Sequence, residues 1–176
     1  YAKKLGITIF STPFDETAVD FLEELETPAY KIASFEMTDL PLVKYVAQTK
    51  KPMIISTGMA NLKEITETVE VARQNGCKDL ILLHCISSYP APAEQSNLKT
   101  IPDLAKRFGV LTGLSDHTMG TTVATTSIAL GACVIEKHFT LSRSDKGPDS
   151  EFSLEPSELK MLCKDADIIA ENFRPG

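Results

Sequence analysis

Short apolar runs rich in β-branched residues recur along the chain at near-regular intervals. They are Ile7-Thr8-Ile9-Phe10, Tyr30-Lys31-Ile32-Ala33, Met53-Ile54-Ile55, Leu80-Ile81-Leu82-Leu83, Val110-Leu111-Thr112-Gly113 and Cys133-Val134-Ile135. Runs this continuous suit strands covered on both faces, as in parallel sheets. Between them the apolar residues take helical spacing. Residues 15–25 place Val19, Leu22 and Leu25 on one stripe, with Asp15 as N-cap. Residues 40–49 repeat this with Leu42, Val43 and Val46. Asn61 caps the next helix, with Glu64 three residues on and Ile65, Val69 and Ala72 along one face. Helices over 97–108, 118–130 and 156–172 complete the set. Pro102 delays the start of the first of these, and Ser153, Pro156 and Glu158 open the last. Gly6, Gly76, Gly109 and Gly131 each fall just before a strand, where a helix must stop.

The pattern predicts six β-α units, hence a parallel sheet with helices outside it. No Gly-x-Gly-x-x-Gly follows the first run, which argues against a dinucleotide-binding sheet. The strand ends favour a TIM (β/α)8 barrel. The runs finish in Ser11-Thr12, Lys31 with Ser34 and Glu36, Ser56-Thr57, His84 with Ser87, Ser115-Asp116-His117 and Glu136-Lys137-His138. In such barrels the carboxyl ends of all strands open on one face, where sites are built. A packed core selects none of these residues, and six such endings in succession predict a shared site.

Composition narrows the function. A length of 176 residues suits one domain, and 43% apolar with 24% charged residues is a globular balance. The net charge of −6, without a basic run, disfavours nucleic acid as a partner. The apolar runs fall far short of a membrane span. The chain opens on Tyr1-Ala2-Lys3-Lys4 without an initiator Met and reads as a piece of something longer. Its four cysteines form no Cys-x-x-Cys pair, so a zinc knuckle is unsupported and a reducing, cytoplasmic setting is expected. Cys85 and Cys133 lie in apolar runs and are expected in the core.

The rim carries three kinds of chemistry. Thr12, Ser34, Ser56 and Ser115, with Lys31, form a donor set for phosphate and carboxylate oxygens; the plain alternative is that the hydroxyls cap the following helices. His117 and His138 end successive strands, so their imidazoles can converge on a divalent ion that keeps open positions. His84 precedes Cys85 within its strand, is expected to point outward and is left out of the site. The loop Ser87-Ser88-Tyr89-Pro90-Ala91-Pro92, stiffened by prolines, holds Tyr89 over the rim or simply anchors a turn. Asp149, after the last strand, can accept from sugar hydroxyls or pair with Lys146.

Five strings carry a resemblance: Phe10-Ser11-Thr12-Pro13-Phe14-Asp15, Tyr30-Lys31-Ile32-Ala33-Ser34, Ser56-Thr57-Gly58-Met59, Gly113-Leu114-Ser115-Asp116-His117-Thr118 and Ile135-Glu136-Lys137-His138-Phe139. Together they resemble the sialic acid synthase family, which condenses phosphoenolpyruvate with an amino-sugar to form nonulosonic acids. The resemblance covers nearly the whole chain. It implies that these are strands three to eight of a TIM barrel, making residues 1–176 a partial catalytic domain. Two strands would lie upstream and a small antifreeze-like domain downstream. The family's first-strand glutamate, its second-strand lysine and the arginine lent by a partner subunit have no counterpart here. The fragment alone is therefore expected to be inactive and the full-length protein to be a homodimer.

Carried over by position, the family pattern implies phosphoenolpyruvate contacts from Thr12, Lys31, Ser34, Ser56 and Ser115. It implies sugar contacts from Ser87, Tyr89 and Asp149, and a catalytic role for His117, His138 and Lys31. It also implies a divalent metal at His117 and His138, manganese with magnesium or cobalt as alternatives, acting as a Lewis acid on the sugar aldehyde. Phe35 and Asp149-Ser150-Glu151-Phe152-Ser153 resemble the pseudaminic acid branch. The expected substrate is then a 6-deoxy-2,4-diacetamido-altrose. The alternatives are an N-acetylneuraminate synthase using N-acetylmannosamine, a Schiff-base aldolase using Lys31 or Lys137, and a non-catalytic sugar-binding module.

Overall fold

The structure is a computed structural model, and it describes residues 1–173. The chain divides into two compact units, Tyr1–Leu82 and Leu83–Gly176. Its strands are β1 (Tyr30–Ile32), β2 (Met53–Ser56), β3 (Leu80–Cys85), β4 (Leu111–Asp116) and β5 (Val134–Lys137). They are hydrogen-bonded in chain order, and the unit boundary falls inside β3. The helices are α1 (Glu16–Glu24), α2 (Leu40–Gln48), α3 (Leu62–Gln74), α4 (Thr100–Phe108), α5 (Thr122–Ala129) and α6 (Pro156–Asn172). This is the alternating α/β order expected.

In the first unit, the Asp15 carboxylate accepts from Ala18 N at 2.8 Å and starts α1, as its position predicts. Asn61 and Glu64 form a reciprocal capping box at α3. β1 and β2 pair in parallel, with Tyr30 opposite Met53 and Ile32 opposite Ile55. All four of these side chains are fully buried, together with Met37, Val43 and Val46. Thr68 on α3 donates to the Met37 carbonyl at 2.8 Å, tying the helix to the turn after β1.

The first apolar run corrects the six-unit expectation. Ile7–Phe10 is not a strand, so five strands stand among the described residues. Its segment pairs with β1 through one bridge, Ser11 to Tyr30. Ile7 and Ile9 are 58% and 62% exposed, and the run lines an apolar cleft with Phe21 and Leu25. Apolar, β-branched composition favours a strand, but here the segment makes that one bridge and no continued ladder.

In the second unit, α4 ends at Gly109, whose φ of +58° is the left-handed conformation a helix C-cap requires. Helices α4 and α5 begin three to four residues later than their apolar spacing suggests. β4 and β5 pair in parallel, with Gly113 opposite Val134, Ser115 opposite Glu136 and Asp116 opposite Lys137. A Cβ at Gly113 would sit 2.2 Å from the Val134 carbonyl oxygen, so only glycine allows this approach. One core cluster joins Ile101, Leu114, Val123 and Ala132, and another joins Ala124, Leu154 and Leu162.

The cap of α6 is Glu155 with Glu158, rather than Ser153, and Arg143 donates to Glu158 at 2.6 Å. Cys85 is buried as expected, but Cys133 is exposed. It lies in the turn ahead of β5, outside the ladder, where its thiol donates to the Thr112 carbonyl at 3.2 Å.

Candidate functional site

The first unit gathers most of its polar strand-end residues. Lys31 lies in β1, only 6% exposed, and its Nζ donates to Ser56 Oγ at 2.8 Å and to the Ile32 carbonyl at 3.0 Å. Ser34, just past β1, accepts from Gly58 N at 3.1 Å, joining the turns that follow β1 and β2. Thr12 is half-buried beside Ser11, whose carbonyl accepts from Lys31 N at 3.2 Å. None of Thr12, Ser34 or Ser56 caps an α-helix; that work falls to Asp15, Asp39 and Asn61. The capping alternative therefore does not account for these hydroxyls. Glu36 Oε2 is buried and has no hydrogen-bond partner among the described residues. A buried carboxylate oxygen in that state is satisfied at low cost only by a bound polar group or water.

The second unit brings its two strand-end histidines together. The His117 and His138 ring centroids stand 5.3 Å apart at 53°. Tyr89 stacks on His117 at 4.2 Å and approaches His138 at 6.1 Å. Phe152, buried, closes the other side, 5.0 Å from His138 and 5.6 Å from Tyr89. The Asp149 carboxylate lies 3.7 Å from His138 Nδ1, too long for a direct hydrogen bond. Ser87 stands beside this group through a 4.0 Å contact with the Cys85 sulfur. Ser115 donates to Glu136 at 2.7 Å, so it too is not a helix cap.

The protonation geometry of His117 is informative. Its Nδ1 lies 2.9 Å from the Ile86 carbonyl, and a carbonyl can only accept, so Nδ1 carries hydrogen. The neutral ring then keeps its lone pair on Nε2, the arrangement that metal-binding imidazoles use. Burial pulls the His117 pKa down, but the Cys85 and Ile86 contacts and the nearby Glu136 outweigh it, and the net shift is upward. Burial, and then the adjacent His117, lower the pKa of His138. A charge on one ring thus disfavours a charge on the other. No cluster of three or more His, Cys, Asp or Glu groups suited to a metal occurs among the described residues. The donor set is two imidazoles, which fits an ion that completes its shell with water or substrate.

His84 does not point outward as expected. It is buried, and its Nε2 donates to the Ser96 carbonyl at 2.6 Å, anchoring the loop ahead of α4. Lys137 turns to the face opposite the histidines and donates to Asp116 at 2.7 Å. Sequence reasoning missed Phe152 and Cys85 as members of the aromatic and imidazole group. Phe152 follows Asp149 closely enough to have been found; Cys85 reads as core until its 3.9 Å approach to His117 is seen.

Comparison with known proteins places the chain. The NeuB family description matches residues 1–173. The chain belongs to the NeuB family. It is 51% identical over 165 residues to the N,N'-diacetyllegionaminic acid synthase of Campylobacter jejuni, covering 93% of this chain and 49% of that protein. It is 44% identical over 163 residues to the pseudaminic acid synthase of Helicobacter pylori, covering 93% and 48%. Among solved structures, the N-acetylneuraminic acid synthetase of Leptospira borgpetersenii, crystallised with citrate, superposes with a TM-score of 0.96 at 34% identity, covering 99% of this chain and 61% of that one. The chain spans about half the length of the curated relatives it matches. Relatives named as synthases of three different nonulosonic acids identify the family as that of the sialic acid synthases. No described helix is long and apolar enough to cross a membrane.

Proposed function

We propose that this NeuB-family chain forms the substrate-holding part of a nonulosonic acid synthase. The reaction joins the third carbon of phosphoenolpyruvate to the aldehyde carbon of an open-chain N-acetylated amino-sugar. Water adds to the second carbon as positive charge develops there, and phosphate leaves with carbon–oxygen cleavage. The facing imidazoles of His117 and His138, with His117 Nε2 left as the lone-pair nitrogen, carry this reading. A divalent ion held by the two rings, manganese by family resemblance, would supply Lewis-acid polarisation of the aldehyde oxygen.

The chain's own residues divide the remaining work. Lys31, Ser34, Ser56 and Thr12 bind the phosphate and carboxylate oxygens of phosphoenolpyruvate, and Ser115 is a further phosphoenolpyruvate contact by family resemblance. Lys31 and Ser56 are already bonded to each other, so the ammonium is held in place before substrate arrives. Tyr89, Ser87 and Asp149 contact the sugar, and Phe152 gives it an apolar wall. Because catalysis here rests on positioning two reactants, small displacements should be costly. We also propose a cytoplasmic homodimer built on a complete barrel.

The Phe35 and Asp149–Ser153 pattern favours a 6-deoxy-2,4-diacetamido hexose of the pseudaminic type. The 51% identity to a diacetyllegionaminic acid synthase favours a second reading, a substrate leading to that product. Both readings take a diacetylated sugar. The test is to offer the intact polypeptide phosphoenolpyruvate, manganese and a panel of amino-sugars, following phosphate release and product mass. A nine-carbon acid formed from one diacetamido sugar supports the proposal. Imine trapping by borohydride, with no product, would replace it with the aldolase.

A further inference from the structure

We infer that the buried Asp116–Lys137 ion pair is a positioning device that sets the distance between the His117 and His138 rings. The strand register carries the argument. Three successive cross-strand positions of β4 and its continuation face β5, and each joins a side-chain pair. Ser115 donates to Glu136, Lys137 donates to Asp116, and His117 faces His138. Side chains alternate between faces along a strand, so the ion pair lies on the face opposite the histidines. It occupies the one position between Ser115–Glu136 and the imidazoles.

The pair also grips the chain on both sides of His117. Asp116 Oδ2 accepts from Lys137 Nζ at 2.7 Å, and its Oδ1 accepts from Thr118 N at 2.9 Å. Lys137 Nζ donates in addition to the Thr118 carbonyl at 2.7 Å. The residues immediately before and after His117 are therefore both fixed to the residue immediately before His138. The two side chains are only 1% and 4% exposed. Water cannot screen the contact or replace it.

Such a pair is costly to assemble and often adds little net stability, since isosteric apolar replacements of buried pairs are tolerated. Geometry is what it supplies here. A parallel ladder near its carboxyl end has few remaining hydrogen bonds to hold the next residues, and the histidines lie just beyond it. The ionic clamp extends the ladder's register across that end. A site assembled from two elements needs this kind of support to hold its geometry within about 0.5 Å.

The test uses the intact protein with its histidines isotopically labelled. The double variant Asp116→Asn/Lys137→Met removes both charges, and retained thermal melting shows that it folds. In the metal-free wild type, a nuclear Overhauser cross-peak joins the His117 and His138 rings. The proposal expects it to vanish or weaken severely in the folded double variant, with Mn²⁺ affinity falling about 10- to 100-fold, as for lost outer-shell partners. If the double variant does not fold, Asp116→Glu keeps both charges but lengthens the arm beside His117 and should move both readouts in the same direction. A folded variant with an unchanged cross-peak overturns the proposal. The affinity readout rests on the metal site proposed above, whereas the cross-peak does not. Wild type that shows the cross-peak but binds no Mn²⁺ contradicts the metal site alone.

Discussion

Two buried strand-end lysines, one in each unit, look alike in the sequence and are used differently. Lys31 on β1 donates to two neutral oxygens, the Ser56 hydroxyl and the Ile32 carbonyl. Lys137 on β5 donates to a carboxylate and a carbonyl and lies on the far face of its strand from the histidines. The first ammonium stays among groups that can turn toward a ligand's oxygens. The second is committed to holding two strands in register. Strand-end polarity alone does not mark a ligand contact; the partner's charge and the face on which it lies distinguish binding from positioning.

The comparison can be broken by substitution. Lys137→Ala leaves Asp116 buried without its counter-charge and should cost about 3–5 kcal/mol of stability, read from the denaturant midpoint. Lys31→Ala removes hydrogen bonds from a charged donor to neutral oxygens, so it should cost less, about 1.5–3 kcal/mol. Its larger effect should be on the KM for phosphoenolpyruvate. Equal losses of stability at the two lysines would erase the distinction.

Gly113→Ala probes the same strand pair sterically. With no space before the Val134 carbonyl, it should destabilise by about 3 kcal/mol, at the upper end of overpacking costs. A neutral result would mean that the β4–β5 approach is looser than described. Asn61→Ala, which removes the α3 capping box in the first unit, should cost about 1 kcal/mol and leave Mn²⁺ binding unchanged.

The smallest effect is a pH dependence. Burial lowers the His84 pKa in the folded protein, partly offset by the Ser96 carbonyl. The unfolded chain, with an ordinary value of about 6.5, then binds more protons than the folded one below neutrality. The contribution of His84 is therefore complete above about pH 6.5 and declines as the pH falls toward the lowered folded value. His84→Gln should flatten that part of the stability profile, and an unaltered profile would remove His84 as its source.

The helices were legible because their caps are local: Asp15, Asn61 and Gly109 do what their types predict. The strands were legible as continuous apolar runs, and Ile7–Phe10 shows the limit, since such a run does not reveal whether a ladder forms. Cys133 lay in an apolar run yet faces out, because a residue in the turn before a strand does not share the strand's burial. The convergence of His117 and His138 could be anticipated from adjacent strand ends. The Asp116–Lys137 clamp could not, because its meaning depends on which face each side chain takes. Cys85 joined the site through tertiary packing that sequence spacing does not encode, whereas the closeness of Phe152 to Asp149 was a signal that could have been used.

Mn²⁺ titration of the intact protein followed by electron paramagnetic resonance tests the central claim most directly. The account predicts one tightly bound ion per chain in the wild type and its loss in both His117→Ala and His138→Ala, with folding intact. Undiminished Mn²⁺ binding in either folded variant would contradict a site built on the two facing imidazoles.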